Sequence, residues 1–221
     1  MKIFESIIKS ESLVFDVGSN VGEKSQTFLN LGATVIAFEP QYECFIQANN
    51  KFQVNPKYRS ENIALDNKVG TSIMYVASYH TISSMSEKFI EESKKERFVG
   101  YSWNNTIEVR TDTFDNMIDK YGFPDFIKID VEGYEFSVLS GLTRPVNIIS
   151  IEFNPELCDE TLKCIDYIDN LNNGNTVFNY GYRSDEDFKY ETWVSKDTIV
   201  EYLKSVNDFK FEFGDVYCKK V

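Results

Sequence analysis

Apolar and polar positions along this chain repeat one alternation. A short, almost wholly apolar run is followed by a turn, and then by a segment whose apolar residues return every three or four positions. Leu13, Val14, Phe15 and Val17 make the first run, which stops at Gly18. Such a run bounded by a glycine turn predicts a buried strand, and 23–31 predicts the helix after it. A short helix over 1–9, with Ile3, Phe4, Ile7 and Ile8 on one face, precedes the strand. The pattern continues with strands near 34–39, 59–65, 125–130 and 146–152, and helices near 22–31, 41–51, 113–121, 134–141 and 160–171. That rhythm specifies an α/β fold with a mostly parallel sheet covered on both faces. The tail, 176–182 and 210–218 around a helix near 196–205, supplies a closing hairpin.

One region breaks the rhythm. Residues 70–77 alternate as an edge strand, and 78–105 then carry His80, two serines, a charged helix over 86–97 and the aromatic residues Phe98, Tyr101 and Trp103. An excursion of this length predicts a lid or substrate wall. The charged helix face reads as solvated surface, while the three aromatics are open to two readings, core packing or substrate contact.

Composition narrows the class. With 221 residues, 42% of them hydrophobic, the chain is expected to fold as one domain over 1–221. Its 23 basic and 35 acidic residues give a formal charge of −12, which disfavours extended contact with nucleic acid. No signal-like start and no run of membrane-spanning length occurs, so a soluble, cytoplasmic protein without a membrane partner is expected. Cys44, Cys158, Cys164 and Cys218 have no paired spacing and read as free thiols. His80 is the single histidine, which rules out chemistry needing several imidazoles.

The turn after the first strand carries the first candidate chemistry. Gly18 and Gly22 are spaced Gly-x-x-x-Gly with Asp16 before them. This is not the Gly-x-Gly-x-x-Gly cradle of a dinucleotide, so a nicotinamide oxidoreductase is a distant reading. An aspartate at the strand end would repel a pyrophosphate and suits an ammonium group, as at the amino-acid end of S-adenosylmethionine (SAM). One strand later Glu39, 17 residues beyond Gly22, can accept both hydroxyls of a ribose. Gly18, Ser19, Asn20, Gly22, Glu39 and Pro40 are therefore candidate cofactor-binding residues together with Asp16.

A second block, Ile127-Lys128-Ile129-Asp130-Val131-Glu132-Gly133, makes the resemblance specific. Phe15-Asp-Val-Gly-Ser-Asn-Val-Gly22, Phe38-Glu39-Pro40, Asn62-Ile-Ala64-Leu65, Thr113-Phe-Asp115, that block and Ser150-Ile-Glu152-Phe153 follow one another in an order that resembles the FkbM family of SAM-dependent methyltransferases. The match runs from about Leu13 to Glu152 and continues more loosely through Gly181-Tyr182 and the last strand. The resemblance implies a Rossmann-like class I methyltransferase with a mostly parallel seven-stranded sheet and SAM as cofactor. It also implies methylation of hydroxyls on small molecules, sugars among them. It adds Ala64 to the cofactor site, and the Ser83-Ser84 stretch is similar to one that borders the cofactor in this family.

In a doubly wound sheet, ligands gather at the carboxyl ends of the strands, where Asp16, Glu39, Asp130 and Glu152 are all expected. Asp130 is the first candidate to orient or deprotonate an acceptor hydroxyl. Lys128 lies two residues earlier on the same strand face, so the two are expected to pair. Ile127 and Ile129 point the other way, into the core. Asp130, Glu152 and Asn154 also offer three oxygen donors, similar to the magnesium site of catechol-type O-methyltransferases; against this, Asn154-Pro155 reads as a turn and Glu152 as a cap. Glu132 and Glu135 read as turn and helix-start residues. His80 is a candidate base or a packing residue.

The expected activity is therefore methyl transfer from SAM to a hydroxyl oxygen of a small-molecule or saccharide-like acceptor. Two rivals stand beside it. A nitrogen or nucleotide-cap methyltransferase would need Tyr101, Trp103 or Tyr182 to stack a base, and an inactive SAM-binding module would keep the cofactor site without turnover.

Overall fold

The computed structural model describes residues 2–95, 97–182, 187–206 and 213–221. Its centre is β1 (Leu13–Val17), whose residues divide strictly between two cores. Val14 packs on one side with Val35, Ala37, Phe126, Phe28 and Phe4. Phe15 and Val17 pack on the other with Ile127, Ile129, Ile149 and Ile151. Successive strand side chains point to opposite faces, so one apolar run serves both layers.

Around β1 the sheet grows outward in both directions. β2 (Thr34–Phe38) and β3 (Tyr58–Glu61) lie parallel on one flank; β7 (Phe126–Ile129) and β8 (Ile148–Phe153) lie parallel on the other. The hairpin β9 (Thr176–Tyr182) and β10 (Gly214–Lys220) closes the far edge, with β10 antiparallel to β8 and β9. The order is β3-β2-β1-β7-β8-β10-β9, seven strands. Helices α1 (Lys2–Ile7), α2 (Glu23–Asn30) and α3 (Tyr42–Phe52) cover the Val14 face. The Phe15 face is covered by α5 (Phe114–Tyr121), α6 (Glu135–Leu139), α7 (Cys158–Leu171) and α8 (Lys196–Val206). The α/β architecture expected from the alternation is the one observed. All four cysteines are buried and free. Among the described residues no helix is long and apolar enough to cross a membrane.

The structure departs from the expected elements in three places. The strand expected over 59–65 is two strands, because Asn62 Nδ2 donates to the carbonyls of Glu39 (2.9 Å) and Pro40 (3.0 Å) and turns the chain. After the turn, β4 (Ala64–Leu65) leaves the main sheet for a second, three-stranded one ordered β4-β6-β5. Its middle strand, β6 (Asn105–Asp112), went unread although Ile107, Val109 and Thr111 alternate; β5 (Gly70–Val76) is the edge strand expected.

The excursion, finally, is largely a packed unit. Its helix α4 (Glu87–Lys95) buries Phe89 and Ile90 with Ile82, Trp103 and Leu157. Trp103 is buried and its Nε1 donates to the Ile82 carbonyl at 2.8 Å. Phe98 packs against this cluster, and Tyr101 stands edge-on to it. Of the two readings of these aromatics, packing holds for Trp103 and Phe98. Glu96 of the expected charged helix and 210–212 of the expected last strand lie outside the described residues.

Trp103→Ala is expected to lower unfolding free energy by about 3–5 kcal/mol in denaturant titrations, as truncation of a buried aromatic does. A variant of unchanged stability would return Trp103 to the substrate wall.

Candidate functional site

The carboxyl ends of β1, β2 and β7 open onto a cavity of about 320 Å³, within the range of small-molecule sites. Its floor is the turn after β1. Gly18 adopts φ +77°, and a Cβ there would lie 1.9 Å from the Asp130 carbonyl oxygen. Only glycine allows the β1 turn to approach the end of β7 so closely. The Gly18 and Ser19 amides donate to the Phe38 carbonyl at 3.0 and 3.2 Å, which ties the same turn to β2.

Most of the sequence-predicted cofactor residues meet here: Gly18, Ser19, Asn20, Glu39, Pro40, Ala64 and Asp130 all line the cavity. Glu39 is buried, and its two carboxylate oxygens accept the Asn20 and Gln41 amides at 2.8 Å each. Burial pushes its carboxyl up to about 7 against the opposing pull of those amides.

Three expected cofactor residues are placed elsewhere. Asp16 is buried beneath the turn, accepts the Ser25 hydroxyl at 2.6 Å and is not among the lining residues. Its carboxyl is raised by burial, and Lys128, its register partner on β7, opposes the rise. The expectation that Asp16 meets the amino-acid end directly is therefore corrected: it braces α2 and faces Lys128 from below. Gly22 begins α2 at φ +78°, and a Cβ there would strike the Phe52 ring at 2.6 Å, so it serves packing against α3. Ser84 donates to the Glu132 carbonyl at 2.6 Å and accepts the Ser86 amide at 2.8 Å. It fastens the excursion to the turn after β7, while its neighbour Ser83 reaches the cavity.

The Lys128–Asp130 pairing is observed. Lys128 Nζ lies 2.6 Å from Asp130 Oδ2, with the lysine side chain 2% and the aspartate 35% exposed. Burial alone would lower the lysine, but Asp130, Asp215 and Asp16 together hold it above its ordinary range. Lys128 itself does not line the cavity; Asp130 does. His80 also lines it, on a short 3-10 turn (His80–Ile82), with its backbone carbonyl accepting Gln41 Nε2 at 3.2 Å.

The expected metal set does not assemble. The Asn154 Oδ1 accepts a bond from Arg97, and its Nδ2 donates to Glu152 at 2.9 Å. That leaves Asn154 without a free donor atom for a cation. Glu132 stands in the position that Asn154 was expected to fill: Asp130, Glu132 and Glu152 each bring a carboxylate oxygen within 4.8 Å of the others. Burial, then repulsion by Glu152 and Asp130, raises Glu132 well above the ordinary glutamate range; Arg97 opposes. Glu152 is raised likewise, by burial and then by Asp130 and Glu135. Glu135 does act as a turn residue, accepting the Val131 and Gly133 amides at 3.3 and 3.1 Å. Glu132, read from sequence only as a turn residue, is both: its φ is +53° and it lines the cavity.

Sequence reasoning also missed Lys24, Gln41, Met85 and Tyr134 as lining residues. Each had a local signal: Lys24 lies two positions past Gly22 in the first helical turn, Gln41 follows Glu39-Pro40, Met85 follows Ser83-Ser84, and Tyr134 follows the 127–133 block.

The cavity suits a ligand carrying hydroxyls, an aromatic base and charged groups. Ser19 Oγ and His80 Nδ1 are buried there, and no described residue bonds either atom. Glu39 offers a carboxylate, and Ala64, Leu65, Met74 and Met85 supply apolar walls. SAM is such a ligand.

A family model described as the methyltransferase FkbM domain matches residues 16–184. No curated protein matches the chain. Among solved structures, a precorrin-6y C5,15-methyltransferase from Geobacter metallireducens GS-15 is similar at 10% identity and TM-score 0.48, over 96% of this chain and 83% of that one. A TehB-like SAM-dependent methyltransferase from Corynebacterium glutamicum ATCC 13032 is similar at 11% and 0.49, over 99% and 85%. An rRNA methylase from Streptococcus thermophilus is similar at 12% and 0.46, over 100% and 97%. Likeness at this level carries no argument about what this chain methylates.

Because the Glu39 carboxyl titrates near pH 7 and ribose hydroxyls need its ionised form as acceptor, S-adenosylhomocysteine (SAH) affinity should rise about tenfold between pH 6 and 8. In the unliganded protein the sign is opposite. With a folded pKa above the ordinary 4.5, the contribution of neutral Glu39 to stability is present below pH 4.5 and is lost as pH rises through about 7. Glu39→Gln should bind SAH weakly with a flat profile; a slope surviving in that variant assigns the titration to another group.

Proposed function

This chain belongs to the FkbM family of SAM-dependent methyltransferases, and we propose that it transfers the methyl group to a hydroxyl oxygen of a small-molecule or saccharide-like acceptor. The observation that carries this reading is Asp130, a carboxylate on the cavity wall, half open to it and anchored from behind by a buried lysine. SAM, when bound, supplies a methyl group already activated for transfer. What remains for the protein is alignment and a place for the acceptor's proton. Lys128 holds one Asp130 oxygen, and no described residue bonds the other. That second oxygen is the acceptor-facing group of this mechanism. It orients the hydroxyl and takes its proton as the oxygen is methylated. Glu39, Asn20 and Ser19 hold the cofactor below it.

A small acceptor is favoured over a stacked nucleobase. Trp103 is buried in its own core, and neither Tyr101 nor Tyr182, 44% and 39% exposed, lines the cavity. No step is routed through magnesium: Asn154 is committed to Arg97 and Glu152, Lys128 already holds one Asp130 oxygen, and the Asp130, Glu132 and Glu152 carboxylates that do meet are not used by the mechanism.

The test combines binding with methyl transfer from radiolabelled SAM to a panel of monosaccharides, simple alcohols and amines. Asp130→Asn should keep SAH affinity within about threefold and reduce turnover about 100-fold or more, in the range of a lost general base. Full turnover in that variant removes Asp130 from the chemistry. Transfer to amines alone would overturn the hydroxyl reading, and SAH binding without transfer to any acceptor would favour the binding module.

A further inference from the structure

Among the described residues, every sheet edge but one is covered, charged or very short. In the main sheet β9 is covered, where Phe178 exchanges backbone bonds with Val194 at 2.9 and 2.8 Å and Lys189 donates to the Tyr180 carbonyl at 2.8 Å. At the opposite edge β3 has four residues and carries Arg59 and Glu61. In the second sheet β4 has only two residues. The other edge of that sheet is β5, seven residues long, and no charged residue occurs from Val69 to Tyr79. An uncharged edge of this length, with Val69 64% and Ile73 47% exposed, is a template for another strand.

The backbone shows which groups that strand would meet. Tyr75 exchanges amide and carbonyl bonds with Ser84 at 2.9 and 3.1 Å, on the side away from β6. By the alternation of an antiparallel ladder, the amides and carbonyls of Thr71 and Ile73 point to that same side, and no described residue bonds them there. Two such residues two positions apart form a palindrome. Laid antiparallel on a copy of itself, Thr71 meets the partner's Ile73 and Ile73 meets the partner's Thr71, with four backbone hydrogen bonds about an axis at Ser72. Charge favours this occupant and this register. A formal charge of −12 sets two copies against each other, and β5 brings no charge of its own to the contact. On β6, exposed Arg110 stands beside Thr71 and exposed Glu108 beside Ile73, so each row across the paired sheets ends in one Arg110 and one Glu108. Thr71 paired with itself would put like charges at the two ends of a row.

We propose that β5 is the interface through which this chain dimerises: it pairs antiparallel with β5 of a second copy across a two-fold axis at Ser72. Two three-stranded sheets thereby become one of six strands, in the closed two-fold arrangement commonest among homo-oligomers. The inference stands on backbone geometry and charge, and is independent of the cofactor and the acceptor.

Sedimentation velocity of the full chain at about 100 µM tests it, and the wild-type protein should run as a dimer. Ile73→Lys places an ammonium on the edge and should weaken the dimer about tenfold or more, with far-UV circular dichroism showing that the variant is folded. Ser72→Cys reports the axis itself. Residues facing each other without mutual hydrogen bonds have Cα atoms about 4.5 Å apart, within the span of a disulfide, so mild oxidation of this variant should give a covalent dimer. The four native cysteines are buried and do not compete. Thr71→Cys, one position off the axis, should link far less. A wild-type monomer at this concentration overturns the proposal, and so does a dimer that folded Ile73→Lys leaves intact. A dimer that Ser72→Cys fails to link, or that Thr71→Cys links instead, overturns the pairing at Ser72 without requiring Ile73→Lys to fold.

Discussion

The ion pair between Lys128 and Asp130 is the constraint on which the site depends. A lysine side chain in the middle of a parallel sheet is 2% exposed, and an ammonium is tolerated there only if carboxylates surround it. Asp130 supplies the direct bond, with Asp16 and Asp215 adding to the field. Removing Asp130 would leave the buried ammonium without its bonded carboxylate, and removing Lys128 would cost less, because Asp130 is open to the cavity. The arrangement stiffens the end of β7 and turns one carboxylate outward into the cavity. In the proposed mechanism, structure and chemistry use the same two residues.

The backbone brings the remaining walls to this point. Gly18 lets the β1 turn settle against the Asp130 carbonyl, and Asn62 pins the end of β2 while sending the chain into the second sheet. From that sheet the chain returns through 79–85 to cover the cavity, and Ser84 bonds back to Glu132. A Cβ at Gly133 would meet Phe89 at 2.6 Å and Leu157 at 2.7 Å, so the same turn is clamped by the core of the excursion. The wall over the cavity is thus packed to the end of β7.

Charge is distributed unevenly around this frame. Asp130, Glu132 and Glu152 crowd one side, where burial and repulsion among the acids raise the two glutamates; Arg97 opposes both, and the Asn154 bond also opposes the rise of Glu152. Lys24 and Lys128 stand on the side of α2 with Asp16 and Asp215.

The sequence by itself determined the layered α/β fold, since the apolar pattern of runs such as Leu13–Val17 records which faces each element must bury. It also located the glycine turn, Glu39 and the Lys128–Asp130 pair, because their positions follow from strand ends and from the two-residue period of a strand. What it left open were matters decided by groups far apart in the chain. Asp16 is kept from the cavity by Ser25 and the field of Lys128, Asn154 is withdrawn from any cation set by Arg97, and Glu132 is turned inward by a left-handed backbone and the bond from Ser84. Trp103 finds its core only when α4 and the Pro155–Leu157 turn arrive beside it. Local periodicity reports the apolar face of an element; which polar side chain faces a ligand is settled by its tertiary neighbours, because burial and pairing set both the direction and the charge of each carboxylate.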